Sequence, residues 1–231
     1  MALADDIRNL AARSVDSLNK SHDYHAFSRF VLRLPQLLAG EGRTFLFSNN
    51  VTGSQMARDA ILGRAQVYAT EYLTVFTFQH FVSLFEAFIF DLLRLWLSAY
   101  PASLSGRKLD FGAVLRSPDR ASLIQTVVDG ELNQLKYERL SEWFAYAERL
   151  AKFGCPSADE IERLAEIKAS RDVLVHNNGI ANTVYLAKSG IRARCKDGER
   201  LEVPDTYHRE SWELMVKVVG NLSAAAISKA G

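Results

Sequence analysis

Residues 72–97 read YLTVFTFQHFVSLFEAFIFDLLRLWL, a run with apolar residues on almost every side of a helix. A bilayer crossing takes about 20 apolar residues, so length alone allows a membrane span. Gln79, His80, Glu86, Asp91 and Arg94 interrupt the run. Each ionisable group at that depth costs about 2.5–3.5 kcal/mol on insertion scales. The expectation is therefore a core helix, buried against several neighbours or against another subunit, and no membrane.

Outward from this run the chain reads as helical. Upstream, DDIRNLAARSVDSLNK places Ile7, Leu10, Ala11 and Leu18 on one stripe, and HAFSRFVLRLPQLL does so with Phe27, Phe30, Val31 and Leu34 until Pro35. Two amphipathic helices are expected within residues 1–50. Ser54 is the candidate N-cap of the central helix, Gly63 a candidate bend, and Pro101 its stop. Downstream, Ser117, Pro118 and Gly130 frame a short helix, and residues 131–154 form another. Ser157 and Glu160 make a capping box for a helix that stops at HNNG, residues 176–179. Ser-Gly and Asp-Gly turn signals in residues 183–204 suggest a small β-hairpin or meander, and residues 207–229 a last amphipathic helix. The reading is an all-α bundle with a small β appendage near the C-terminus, in one domain spanning 1–231.

Composition narrows the function. Lys and Arg total 28 against 27 Asp and Glu, so no global positive field draws the chain to nucleic acid, and any such contact is local. Cys155 and Cys195 match neither a CxxC nor a zinc pattern, and with a first stretch unlike a secretory signal they suggest the cytoplasm. Neither GxGxxG, GxxxxGK[ST] nor a GxSxG elbow is present. His22 and His25 in HDYH lack supporting ligands, so no metal and no cofactor is expected.

The stretch RDVLVHNNG, residues 171–179, carries the candidate chemistry. On a helical wheel Ile161, Leu164, Ile167, Leu174 and Val175 share an arc, with Glu162, Glu166 and Ser170 on the opposite, solvent-type face. Arg171 falls inside the apolar arc, where an unpaired charge is strongly destabilising. It requires a carboxylate, an interface or a phosphate. His176 lies about 140° around the axis and about 7.5 Å along it from Arg171, an awkward clasp for one helix; two such helices across a two-fold axis line one cleft better. Asp172 stands one turn before His176.

EIKASRDVLVHNNGI, together with the upstream FVSLFEAFIFDLL, resembles the HEPN (higher eukaryotes and prokaryotes nucleotide-binding) superfamily, especially its ribonuclease branches. The match is to an arginine, a polar residue, three positions and a histidine: Arg171, Asp172 and His176. It covers about residues 70–180 plus the closing helix. The resemblance implies a homodimeric, metal-independent endoribonuclease with a composite active site, leaving 2′,3′-cyclic phosphate ends on RNA. Arg171 and His176 then act on the phosphodiester, Asp172 orients one of them, and Glu86 matches the acidic position of the upstream helix. A toxin or phage-defence setting, with an antitoxin or other regulatory protein, follows by analogy only.

Blander readings stand beside these. Arg171, Asp172 and His176 also suit a salt-bridged helix end, Glu86 a structural partner for Arg171, and Asn177 either a substrate contact or a helix cap. Arg192 and Arg194, in a basic stretch diluted by Asp197 and Glu199, suit an RNA track or a solvated surface. The main alternative to the nuclease is a catalytically silent HEPN-like dimer that binds a nucleotide, RNA or a partner protein; a purely structural helical module is the third.

Overall fold

The structure, a computed structural model, describes residues 2–38, 47–48, 55–56, 58–106 and 111–230. It is built almost entirely of helices. Helix α1, Ala2–Leu38, is one element where two were expected. The intervening SHDY holds neither glycine nor proline, and its Ser21 and the following His25 bond across to His80 and Thr74, so nothing interrupts the turn sequence. Strands β1, Phe47–Ser48, and β2, Gln55–Met56, pair antiparallel. Ser54 lies outside the described residues.

Helix α2, Arg58–Val67, passes through a π turn at Tyr68–Tyr72 into α3, Leu73–Ala99. Gly63 was the expected irregular point; the irregular turn is 68–72 instead. A 3₁₀ turn at Pro101–Leu104 and helix α4, Phe111–Arg116, follow. Helix α5 runs from Arg120 to Lys136 with Asp119 as its cap, accepting from the Ser122 N–H at 2.7 Å. Ser117, the expected cap, donates its hydroxyl to the Asp119 carbonyl, and Gly130 is passed within the helix. The expected 131–154 helix breaks at residues 137–139, and α6 begins anew as Leu140–Ala151. The Trp143 indole locks that corner by donating to the Leu135 carbonyl at 2.7 Å.

Helix α7, Ala158–His176, starts with the expected Ser157–Glu160 capping box. At its other end the Gly179 N–H returns to the Val173 carbonyl at 3.1 Å, with φ +77° at Gly179. The β appendage at 183–204 is not formed. Thr183–Ser189 is helix α8, capped by Asn182, and a 3₁₀ turn covers Gly190–Arg192; the Ile180 and Arg200 backbones form one isolated bridge. Ser-Gly, read as a hairpin turn, is a helix end with Gly190 at φ +55°. Helix α9, Asp205–Lys229, closes the bundle.

The candidate span is the middle of the protein. Asp59–Ala99 is long and apolar enough to cross a membrane, yet more than half of its most apolar window is buried within the fold. Phe78, Phe81, Phe85, Phe88, Leu93 and Leu97 of α3 are buried with Ile7 and Leu18 of α1, Leu132 of α5, Trp143 of α6, Leu164 of α7 and Met215 of α9. Each such side chain contributes about 1.5–3 kcal/mol on leaving water.

Where α1, α3 and α9 meet, three histidines lie together. His22 stacks on Trp212 with centroids 4.1 Å apart, and His25 tilts against His208 at 4.0 Å. His208 hydrogen-bonds Thr77 at 2.8 Å and His25 bonds Thr74 at 3.2 Å. Burial lowers the pKa of all three, and it takes His208 to about 3 despite the nearby Asp205. These imidazoles are neutral packing groups.

Candidate functional site

Helices α3 and α7 cross with their charged residues facing each other, and α8 and the α5–α6 corner wall in the space between. The result is an open cleft of about 850 Å³. Arg171 and His176 both line it, as do Glu86, Asp172 and Asn177. The structure thus brings together, within one chain, two residues that seemed poorly placed on a single helix, because the cleft follows the helix around its end.

Arg171 has the carboxylates its position demands. Its Nη2 donates to Glu86 Oε2 at 3.3 Å and to Ser83 Oγ at 3.3 Å, and its Nη1 to Asp172 Oδ1 at 3.1 Å. A guanidinium has about five N–H donors, so these bonds among the described residues leave donors over for the cleft. Lys168 bridges the same two acids, 3.4 Å from Glu86 Oε1 and 3.2 Å from Asp172 Oδ2, and Lys188 of α8 reaches Asp172 Oδ2 at 3.1 Å. Burial opposes charge on Asp172, but Lys168 and Lys188 outweigh it and hold the carboxyl below its ordinary pKa. Glu86, Arg171, Asp172 and Lys168 form one fixed ionic lattice whose side chains are 17–20% exposed.

His176 is different. It is exposed at the last turn of α7, and among the described residues its imidazole has no hydrogen-bond partner. Of the two residues Asp172 was expected to orient, it holds Arg171. Asn177 takes a structural role: it is the C-cap of α7, and its side-chain amide donates to the Ile180 carbonyl. Arg192 pairs with Asp159 and Glu162 near the start of α7, outside the cleft.

Arg194 is also elsewhere, in a closed network on another face of α7. Glu166 Oε1 accepts from Ser170 Oγ at 2.6 Å, from the Tyr185 hydroxyl at 3.0 Å and from Arg194 Nε at 2.9 Å, while Oε2 accepts from the Tyr207 hydroxyl at 2.7 Å. The Arg194 guanidinium lies 3.5 Å over the Tyr207 ring. Burial, with the Glu166 charge beside it, raises the Tyr207 pKa well above its ordinary value. Glu166 and Ser170, expected on a solvent face, are buried, because the segment from Tyr185 to Tyr207 covers them.

Lys136, Tyr137 and Lys168 also line the cleft and were not anticipated, and Lys188, read as part of the basic stretch 188–200, joins them from α8. Lys168 had a visible signal, standing one turn before Asp172. The rest lie on the α5–α6 corner or on α8, elements whose breaks and type the residue pattern did not disclose. Arg94 reaches the cleft from α3 with Asp91 and Asp129 as partners. The cleft therefore carries Arg94, Lys136, Lys168, Arg171 and Lys188 against Glu86, Asp91 and Asp172, a local positive excess suited to a phosphate-bearing ligand. No family model, curated protein or solved structure matches this chain.

Proposed function

We propose that the chain is a metal-independent endoribonuclease of the HEPN type, acting in the cytoplasm as a homodimer. The observation that carries this reading is the convergence of a braced arginine and an unpartnered histidine on one positively biased cleft. The ribose 2′-oxygen attacks the adjacent phosphorus as its proton passes to an imidazole. The bond from phosphorus to the 5′-oxygen breaks, and that oxygen takes a proton from an imidazolium. The products are a 2′,3′-cyclic phosphate and a 5′-hydroxyl, and DNA is left whole. His176 handles the proton, and the spare donors of Arg171 hold the non-bridging oxygens. Glu86 and Asp172 position the guanidinium.

A second copy across the cleft supplies the second imidazole, and Val175 and Val184, exposed beside it, give that contact apolar surface. The test is cleavage of mixed-sequence single-stranded RNA in EDTA by wild type and by His176→Ala purified identically. Cyclic-phosphate ends with wild type alone support the reading. Equal cutting by both proteins, or none across a varied RNA set, sinks it.

The alternative is a catalytically silent dimer that binds a nucleotide, RNA or a partner protein, and the extent to which Arg171 is already satisfied by Glu86 and Asp172 favours it. It predicts RNA or nucleotide binding that depends on Arg171 while no RNA is cut. A toxin or phage-defence role, with a restraining antitoxin, extends the nuclease reading by analogy.

A further inference from the structure

The corner between α5 and α6 has no evident internal purpose for its two most prominent side chains. Tyr137 is 93% exposed, although it lines the cleft. Lys136 lies 5.3 Å from the centre of the Phe90 ring and has no carboxylate partner among the described residues. Every other lysine and arginine of the cleft is paired: Arg94 with Asp91 and Asp129, Lys168 and Arg171 with Glu86 and Asp172, Lys188 with Asp172.

The placement is held firmly. The Tyr137 N–H returns to the Gln134 and Leu135 carbonyls, and the buried Trp143 indole donates a further bond to the Leu135 carbonyl. These bonds fix the backbone that carries the ring at the edge of the cleft, so a ligand has only the side-chain rotamer left to order. Distance along α3 sets the spacing. Glu86 braces Arg171, and Phe90, under Lys136, stands four residues on, about 6 Å along the helix axis.

We propose that Lys136 and Tyr137 form a nucleotide subsite of the cleft, with the Tyr137 ring stacking on a base of single-stranded RNA and Lys136 meeting the neighbouring phosphate. This rests on the reading of the cleft as an RNA site. Stacking needs an exposed aromatic face and tolerates any base, and a lysine without a counter-charge adds attraction independent of sequence.

The experiment pairs two readouts on wild type, Tyr137→Ala, Tyr137→Phe and Lys136→Ala. Anisotropy of a labelled, fully 2′-O-methylated RNA gives Kd, and cleavage of the unmodified RNA gives KM and kcat. Tyr137→Ala is expected to raise Kd and KM about 5- to 150-fold, the equivalent of about 1–3 kcal/mol for one stacked base, with kcat nearly unchanged. Tyr137→Phe keeps wild-type values. Lys136→Ala makes the slope of log K against log salt shallower by about 0.7. Wild-type binding by Tyr137→Ala, or equal damage from Tyr137→Phe, overturns the subsite while the nuclease reading survives. Failure of wild type to bind or cut any RNA removes both.

Discussion

Helix α7 carries two arginine–carboxylate networks that use the same chemistry to opposite ends. Around Glu166, Tyr185, Tyr207, Ser170 and Arg194 fill the acceptor positions of a carboxylate that is 5% exposed, and a tyrosine ring covers the guanidinium. Around Arg171, two acids and a serine engage only some of the available donors, and the group opens on a cleft beside an imidazole with no hydrogen-bond partner among the described residues. Saturation, more than residue type, separates a structural clamp from a place where a ligand can bind. The first network has nothing left to offer.

The sharpest way to break this contrast is His176→Ala. On the nuclease reading it lowers kcat about 10²- to 10⁴-fold, while stability, followed by urea unfolding, moves by less than about 0.5 kcal/mol because the side chain is exposed. A large stability loss with little change in rate would falsify the assignment of roles. Glu166→Ala is the mirror test. It leaves Arg194 and two tyrosine hydroxyls without their shared acceptor and is expected to cost about 3–5 kcal/mol in the same unfolding assay. Asp172→Ala, in the network that opens on the cleft, leaves Lys168 and Arg171 with Glu86 and is expected to cost less, about 1–3 kcal/mol. Equal costs for the two acids would erase the distinction.

Acid separates the Asp172 network from the histidine stack. His208 is neutral when folded, with a pKa near 3, and takes a proton near 6.5 when unfolded. Between those values the unfolded chain binds more protons, so stability falls as pH drops from about 6.5 towards 3, at up to about 1.4 kcal/mol per unit. The Asp172 carboxyl, held low by Lys168 and Lys188, contributes above its unfolded pKa and is lost only at more acid pH. Unfolding midpoints measured from pH 7 to pH 4 are expected to show the histidine loss first, and His208→Gln to flatten it.

Much of this was legible in the residues, and the failures share a cause. The core helix could be read because its apolar run outlasts any alternative, and the start of α7 because its capping box is local. Arg171 announced its need for a carboxylate; that Glu86 satisfies it depends on a contact 85 positions away. The burial of Glu166 was hidden for the same reason, since its partners stand up to 41 positions further on. Helix α8 was misread because seven residues are too few to show a helical period, while its Gly190 stop looks like a hairpin turn. Asp119 and Ser117 both suit a cap, and only the geometry of the chain at Ser122 selects one.

The meeting of α1 with α9 sets a timetable for synthesis. His22 and His25 are made early, and their partners Trp212 and His208 more than 180 residues later. At roughly 5–20 residues per second, the α9-facing side of α1 waits on the order of ten to forty seconds for its partner to be made. For that interval a long helix has only part of its docking surface.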